Sequence, residues 1–154
     1  MGLSEDIKQK KFRSEYSKAL INILYTNSWL HEHLLRLFRD YGLTEPQYNV
    51  LRILRGQYPN ACTINLIISR MLDRMSNASR IVDKLEKKGL VKRSQSEFDR
   101  RAVDVIITQK GLDLLAELDE PMAIWEDNLT GLTVTEATQL NDLLDKLRTS
   151  HSDD

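Results

Sequence analysis

Ser76-Asn77-Ala78-Ser79-Arg80-Ile81-Val82-Asp83-Lys84-Leu85-Glu86-Lys87-Lys88-Gly89-Leu90-Val91 is the stretch on which the fold turns. Ala78, Ile81, Val82 and Leu85 fall on one face of a helix. Ser76 is read as its N-cap and Gly89 as its end. Just upstream, Thr63 is placed to cap a shorter helix carrying Ile64, Ile67, Ile68 and Met71. Leu72-Asp73-Arg74-Met75 lies between the two and is too short for anything but a turn. Two helices joined by about four residues, the second opening on a polar cluster, form a helix-turn-helix pattern.

Downstream the period changes. Leu90–Ser94 and Ala102–Ile107 have strand character, the second rich in β-branched residues. Gln95–Arg101 joins them as a charged tip without glycine, too long for a tight two-residue turn. A β-hairpin directly after a helix-turn-helix is a wing. Upstream, Leu43-Thr44-Glu45-Pro46-Gln47 combines a cap, a first-turn proline and a capping-box glutamine ahead of a helix burying Tyr48, Leu51 and Leu54. The first forty residues read as one long amphipathic helix bearing Tyr16, Leu20, Ile23, Leu24, Leu30, Leu34, Leu37 and Phe38, with Gly42 closing it. After the wing, Thr108 caps a helix through Leu112, Leu115, Leu118, Met122 and Trp125, in which Pro121 predicts a kink. Thr133 and Glu136 form a capping box for a last helix striped with Leu140, Leu143, Leu144 and Leu147.

The predicted architecture is mostly α with a small β-wing: a winged helix-turn-helix lobe over 44–108, an N-terminal dimerisation helix over 1–43, C-terminal dimerisation helices over 109–149, and a disordered tail over 150–154. The outer helices carry apolar stripes that need a second surface, and a symmetric homodimer is the simplest source.

The 154 residues carry a net charge of −1, but the signs are segregated. Arg70–Lys110 holds eleven basic and six acidic residues, and the remainder holds eleven and seventeen. A lobe at +5 beside flanks at −6 predicts a polyanion contact confined to that lobe. No apolar run is long enough to span a membrane and no secretory signal is visible. The single cysteine, Cys62, fits a reducing compartment, hence the cytoplasm, and reads as a small packing residue.

On the 76–88 helix the face opposite the apolar one carries Asn77, Arg80, Lys84 and Lys87, joined by Ser76 and Ser79 at its start. Recognition helices enter the major groove N-terminus first, where Asn pairs with adenine and Arg with guanine. Hydroxyls and free N–H groups at a helix start suit phosphates. Arg100 and Arg101 at the wing tip suit a narrow, strongly negative minor groove. Asp99 is read as a brace that holds an arginine side chain extended. No glycine-rich phosphate loop, nucleophile–base pair or metal-ligand cluster is visible, so neither an enzyme nor a cofactor is expected. His31 and His33, two apart on a helix, point away from each other and cannot share a metal ion. The competing reading is a winged-helix protein–protein adaptor that binds no specific DNA.

The 76–91 run resembles the recognition helix and first wing strand of MarR-family transcription regulators. Asp99-Arg100-Arg101-Ala102 followed by Thr108-Gln109-Lys110-Gly111 is similar to that family's wing signature and next helix, and Leu43–Leu51 to its second helix. Ile64-Asn65-Leu66-Ile67-Ile68 departs from the family by lacking its common Glu-Leu-Ala run. The resemblance implies a dimer on pseudo-palindromic double-stranded DNA, acting as a ligand-responsive repressor, with Arg101 entering the minor groove and Arg100 a close competitor. It also implies release by a small aromatic or anionic effector, for which Trp29, His33 and Tyr48 are candidate lining and equally candidates for core.

Overall fold

A computed structural model describes residues 2–129 and 131–150. Among them are α1 (Leu3–Asp6), α2 (Glu15–Arg39), α3 (Glu45–Gln57), β1 (Cys62–Thr63), α4 (Ile64–Arg70), α5 (Ala78–Lys87), β2 (Val91–Gln95), β3 (Val103–Ile107), α6 (Gln109–Leu129) and α7 (Val134–Thr149). This is the mostly helical, winged helix-turn-helix architecture expected from the sequence. Of the expected 150–154 tail, Ser150 is instead the C-cap of the last helix, and 151–154 lie outside the described residues. None of the described helices is long and apolar enough to cross a membrane. Two compact units divide the chain after Leu115, inside α6.

In the first unit, α3 is the central helix. It packs against α2, α4, α5 and β3. Val50, Leu51 and Leu54 from α3 are buried with Ile67, Val82, Leu85, Val91, Val105 and Ile107. The sheet order is β1-β3-β2, antiparallel throughout, with Val91 opposite Ile107 and Gln95 opposite Val103. β1 was not foreseen: only Cys62 and Thr63 pair, with Val105 and Asp104. Cys62 is fully buried there, and burial pushes its thiol pKa up against a smaller opposing pull from Arg70. It is a packing residue of the sheet.

Two helix ends use one motif. Leu43 N–H bonds Phe38 C=O and Gly42 N–H bonds Arg39 C=O; Leu90 N–H bonds Leu85 C=O and Gly89 N–H bonds Glu86 C=O. Gly42 and Gly89 sit at φ +67° and +75°, the left-handed conformation this closure requires. The first closure turns the chain into the Thr44 capping box, and the second turns the recognition helix into the wing.

The single long N-terminal helix is corrected. The chain breaks after Asp6, and α2 starts afresh at Glu15 because the Ser14 hydroxyl accepts the Ser17 N–H at 3.1 Å. Only Phe38 is buried along α2, leaving Tyr16, Leu20, Ile23 and Leu24 exposed.

In the second unit, α6 continues through Pro121 to Leu129. The Thr133–Glu136 capping box forms and starts α7. No residue of α7 is buried, and Val134, Leu140, Leu143 and Leu147 are exposed.

Candidate nucleic-acid interface

The recognition helix α5 turns Ala78, Val82 and Leu85 into the core. Ser79, Arg80, Lys84 and Lys87 lie on its solvent side. Its cap differs from expectation. Asn77, not Ser76, is the N-cap, and its Oδ1 accepts the Arg80 N–H at 3.1 Å. Ser76 is drawn back into the turn, its hydroxyl donating to Asp73 Oδ2 at 2.9 Å and its N–H to the Asp73 carbonyl. The Asn77 side chain therefore serves the helix start. Its oxygen is committed to the helix start, leaving the amide NH₂ as the group able to donate outward.

Just past the far end of α5 three successive carbonyls are taken. Lys110 Nζ donates to Lys88 C=O at 2.8 Å, the Thr108 hydroxyl to Gly89 C=O at 2.7 Å, and Thr108 N–H to Leu90 C=O. Lys88 Nζ donates in turn to Gly42 C=O and to Gln47 Oε1. Desolvation there, reinforced by Lys84, lowers the Lys88 pKa. The helix is thus fixed at one end by the wing's exit and by the corner between α2 and α3. A groove of about 410 Å³ between the start of α3 and α5 leaves Arg80 and Lys84 approachable.

The wing is tied to the helix by Arg93. Its guanidinium meets Asp83 at 2.5 Å and Glu86 at 3.4 Å, and its N–H donates to Glu86 Oε2 at 2.8 Å. Arg93 is thus a clamp within the lobe.

The wing tip is built on Ser96, which is buried. Its hydroxyl accepts the N–H groups of Phe98 and Asp99, and its own N–H donates to Ala102 C=O. Gln95 Nε2 closes the tip onto Arg100 C=O. Sequence reasoning missed Ser96, although a serine two and three residues ahead of the N–H groups it binds is a known turn signal. Asp99 acts differently from expectation. Its Oδ1 accepts the backbone N–H of Arg101 at 2.9 Å, an Asx turn, and does not hold an arginine side chain. A short carboxylate two residues upstream reaches the main chain more readily than a guanidinium that extends into solvent.

Arg100 and Arg101 are exposed, as are Arg80, Lys84 and Lys87. Among the described residues no carboxylate pairs with any of these five, in contrast to Arg93.

Of the three residues read as effector lining, Trp29 and His33 meet along α2 and Tyr48 is buried. The Trp29 and His33 rings lie 4.6 Å apart with their planes tilted by 52°, and His33 Nδ1 is hydrogen-bonded to Trp29 C=O. Tyr48 lies in the core against Phe38 at 4.4 Å, which is the core alternative. The cavity at the α2–α3 corner, about 300 Å³, is lined instead by His31, Leu35, Thr44, Glu45 and Pro46. His31 Nδ1 there is bonded to Glu45.

A capped helix in a helix-turn-helix, closed onto an arginine-tipped hairpin, defines a winged helix-turn-helix protein. Residues 43–103 match the model of the MarR family. The transcriptional repressor MprA of Escherichia coli is 28% identical over 139 residues, covering 86% of this chain and 77% of its own. A MarR transcription factor from Planctomyces limnophilus is 28% identical with a TM-score of 0.68, over 90% of this chain and 99% of its own. BpsR of Bordetella bronchiseptica, whose DNA binding is regulated by 6-hydroxynicotinic acid, is 25% identical with a TM-score of 0.69, over 90% and 98%. Residues 43–103 thus carry the MarR-family domain, and the chain is similar along most of its length to transcription regulators of that family.

Proposed function

We propose that the protein is a homodimeric repressor that binds a pseudo-palindromic operator in double-stranded DNA, in the cytoplasm. The observation that carries this reading is the set of five unpaired cations. Arg80, Lys84 and Lys87 line the solvent side of α5, and Arg100 and Arg101 cap the wing, in a lobe where Arg93 is neutralised by two carboxylates. Uncompensated exposed charge is costly to concentrate unless a polyanion meets it. In this reading α5 enters the major groove, with Arg80 on base edges and Ser76, Ser79 and the Asn77 amide near the backbone. The Arg100–Arg101 tip follows the minor groove, and Asp99 sets its turn. Residues 44–108 form the DNA-binding lobe, and 1–43 with 109–149 supply the dimer, which places two recognition helices roughly 34–36 Å apart.

The exposed apolar residues of α2 and of α7 support the dimer, and the MprA relative supports repression. The BpsR relative supports release by a small aromatic or anionic molecule, with the half-exposed Trp29–His33 pair as a candidate contact.

The test is selection of bound fragments from a random DNA pool, followed by a salt titration on the enriched sequence. The expected result is an inverted-repeat sequence whose log affinity falls linearly with log salt, by roughly 0.9 per phosphate neutralised. Absence of DNA affinity at any salt would overturn the reading in favour of a protein–protein adaptor.

A further inference from the structure

Three large apolar side chains in the winged lobe are almost wholly bare: Phe98 at 98% exposure, Met75 at 94% and Leu72 at 85%. All three stand where the proposed DNA-reading elements begin or turn, Leu72 and Met75 ahead of α5 and Phe98 at the wing tip. Isolated surface hydrophobes are common and need no account. Phe98 differs in how it is held. The ring is covered by nothing, yet its backbone is fixed. Ser96 binds the N–H of Phe98 and of Asp99, Asp99 binds the N–H of Arg101, and Ala102 N–H returns to Asp99 C=O. This is a rigid turn that holds an unpacked aromatic one residue from Asp99 and two from Arg100.

We infer that Phe98 is an apolar wedge that enters the minor groove beside the wing arginines and partly unstacks one base step. This rests on the DNA-binding reading above and adds a specificity residue to it. Proteins that read the minor groove with arginine also insert apolar side chains between base pairs, because a desolvated ring recovers there the stacking that the opened step loses. The occupant is fixed by charge. A ring that shares its tip with two unpaired guanidinium groups suits a polyanion with stackable faces. The wedge selects for steps that open easily. Pyrimidine–purine steps (TA or CA/TG) under the tip are favoured without any hydrogen bond to their edges.

The experiment uses the full-length protein and the duplex enriched from the random pool, with 2-aminopurine placed at each step under the wing in turn. Binding of the wild-type protein is expected to raise the fluorescence at one step, the signature of unstacking. Phe98→Ala should abolish that rise and weaken binding roughly 5- to 150-fold, the range for loss of an aromatic–base stack. Phe98→Leu should retain part of both. Preference at the positions facing α5 should persist in Phe98→Ala, and its Tm should match the wild type. An unchanged fluorescence rise and affinity in Phe98→Ala overturns the wedge alone, as does a Tm lowered by several degrees. Failure of the wild-type protein to enrich any sequence overturns the operator-binding reading and the wedge with it.

Discussion

Single side chains decide which charges of the lobe are available. Arg80 and Arg93 are both guanidinium groups, yet Arg93 is bound by Asp83 and Glu86 while Arg80 faces solvent from the first turn of α5. Arg80→Ala is expected to cost about 1–3 kcal/mol of operator binding and to relax base choice at one position. Affinities across single-base operator variants measure this, and an unchanged preference profile would place Arg80 on phosphate. Cys62 argues the opposite case, a reactive group withdrawn from use. Its raised folded-state pKa means that the unfolded chain loses the thiol proton first as pH climbs past the ordinary value of 9.0. The stability that the buried, protonated thiol contributes is therefore fully present below pH 9 and is lost as pH rises toward the folded value. Native protein at neutral pH should react with a thiol reagent only at its opening rate. Rapid modification without denaturant would refute the burial.

At the level of elements, the coupling of α5 to the wing rests on Glu86, which accepts both the N–H and the guanidinium of Arg93. Glu86→Ala separates two effects by sign. It removes a negative charge from a DNA-binding lobe, which by electrostatics alone should tighten binding. It also releases the clamp, which should weaken binding by about 1 kcal/mol, or about fivefold. The clamp is expected to dominate, since in the proposed DNA complex the tip reaches one groove while α5 lies in another. Tighter binding by Glu86→Ala, read in a fluorescence titration, would sink that view. The elements themselves were largely legible in the chain. Thr44, Thr63, Thr108 and Thr133 could be read as caps because a cap bond spans three residues. Gly42 and Gly89 could be read as stops for the same local reason. Illegible were the features that depend on distant partners. β1 is two residues long and exists only because Val105 and Asp104 lie beside it. Arg93 finds carboxylates seven and ten residues back across a turn. Ser76 and Asn77 are both good caps in adjacent positions, and the choice between them fell to Asp73, which holds the Ser76 hydroxyl.

Over the whole molecule the question is why a small cationic lobe would carry so much uncovered helix. A stripe of leucines on α7, and another of Tyr16, Leu20, Ile23 and Leu24 on α2, lie open in the single chain. Contiguous exposed apolar surface of this kind marks an association site, and closed two-fold pairing is its commonest outcome. One lobe alone contacts few phosphates and one half-site, which gives weak binding. Two lobes joined rigidly bind the second half-site as an intramolecular event, which raises affinity by orders of magnitude without a new contact. Leu143→Asp combined with Leu147→Asp tests this without threatening the protomer, because both side chains are already exposed in it. The double variant should sediment as a monomer with an unchanged far-ultraviolet circular dichroism spectrum. Its affinity for the full operator should fall to that for a half-site, and its salt slope should drop to about half, since half as many phosphates are neutralised. A variant that remains dimeric would move the interface off α7. A monomer that keeps full operator affinity would mean that one lobe is sufficient, and the two-fold arrangement would lose its physical purpose.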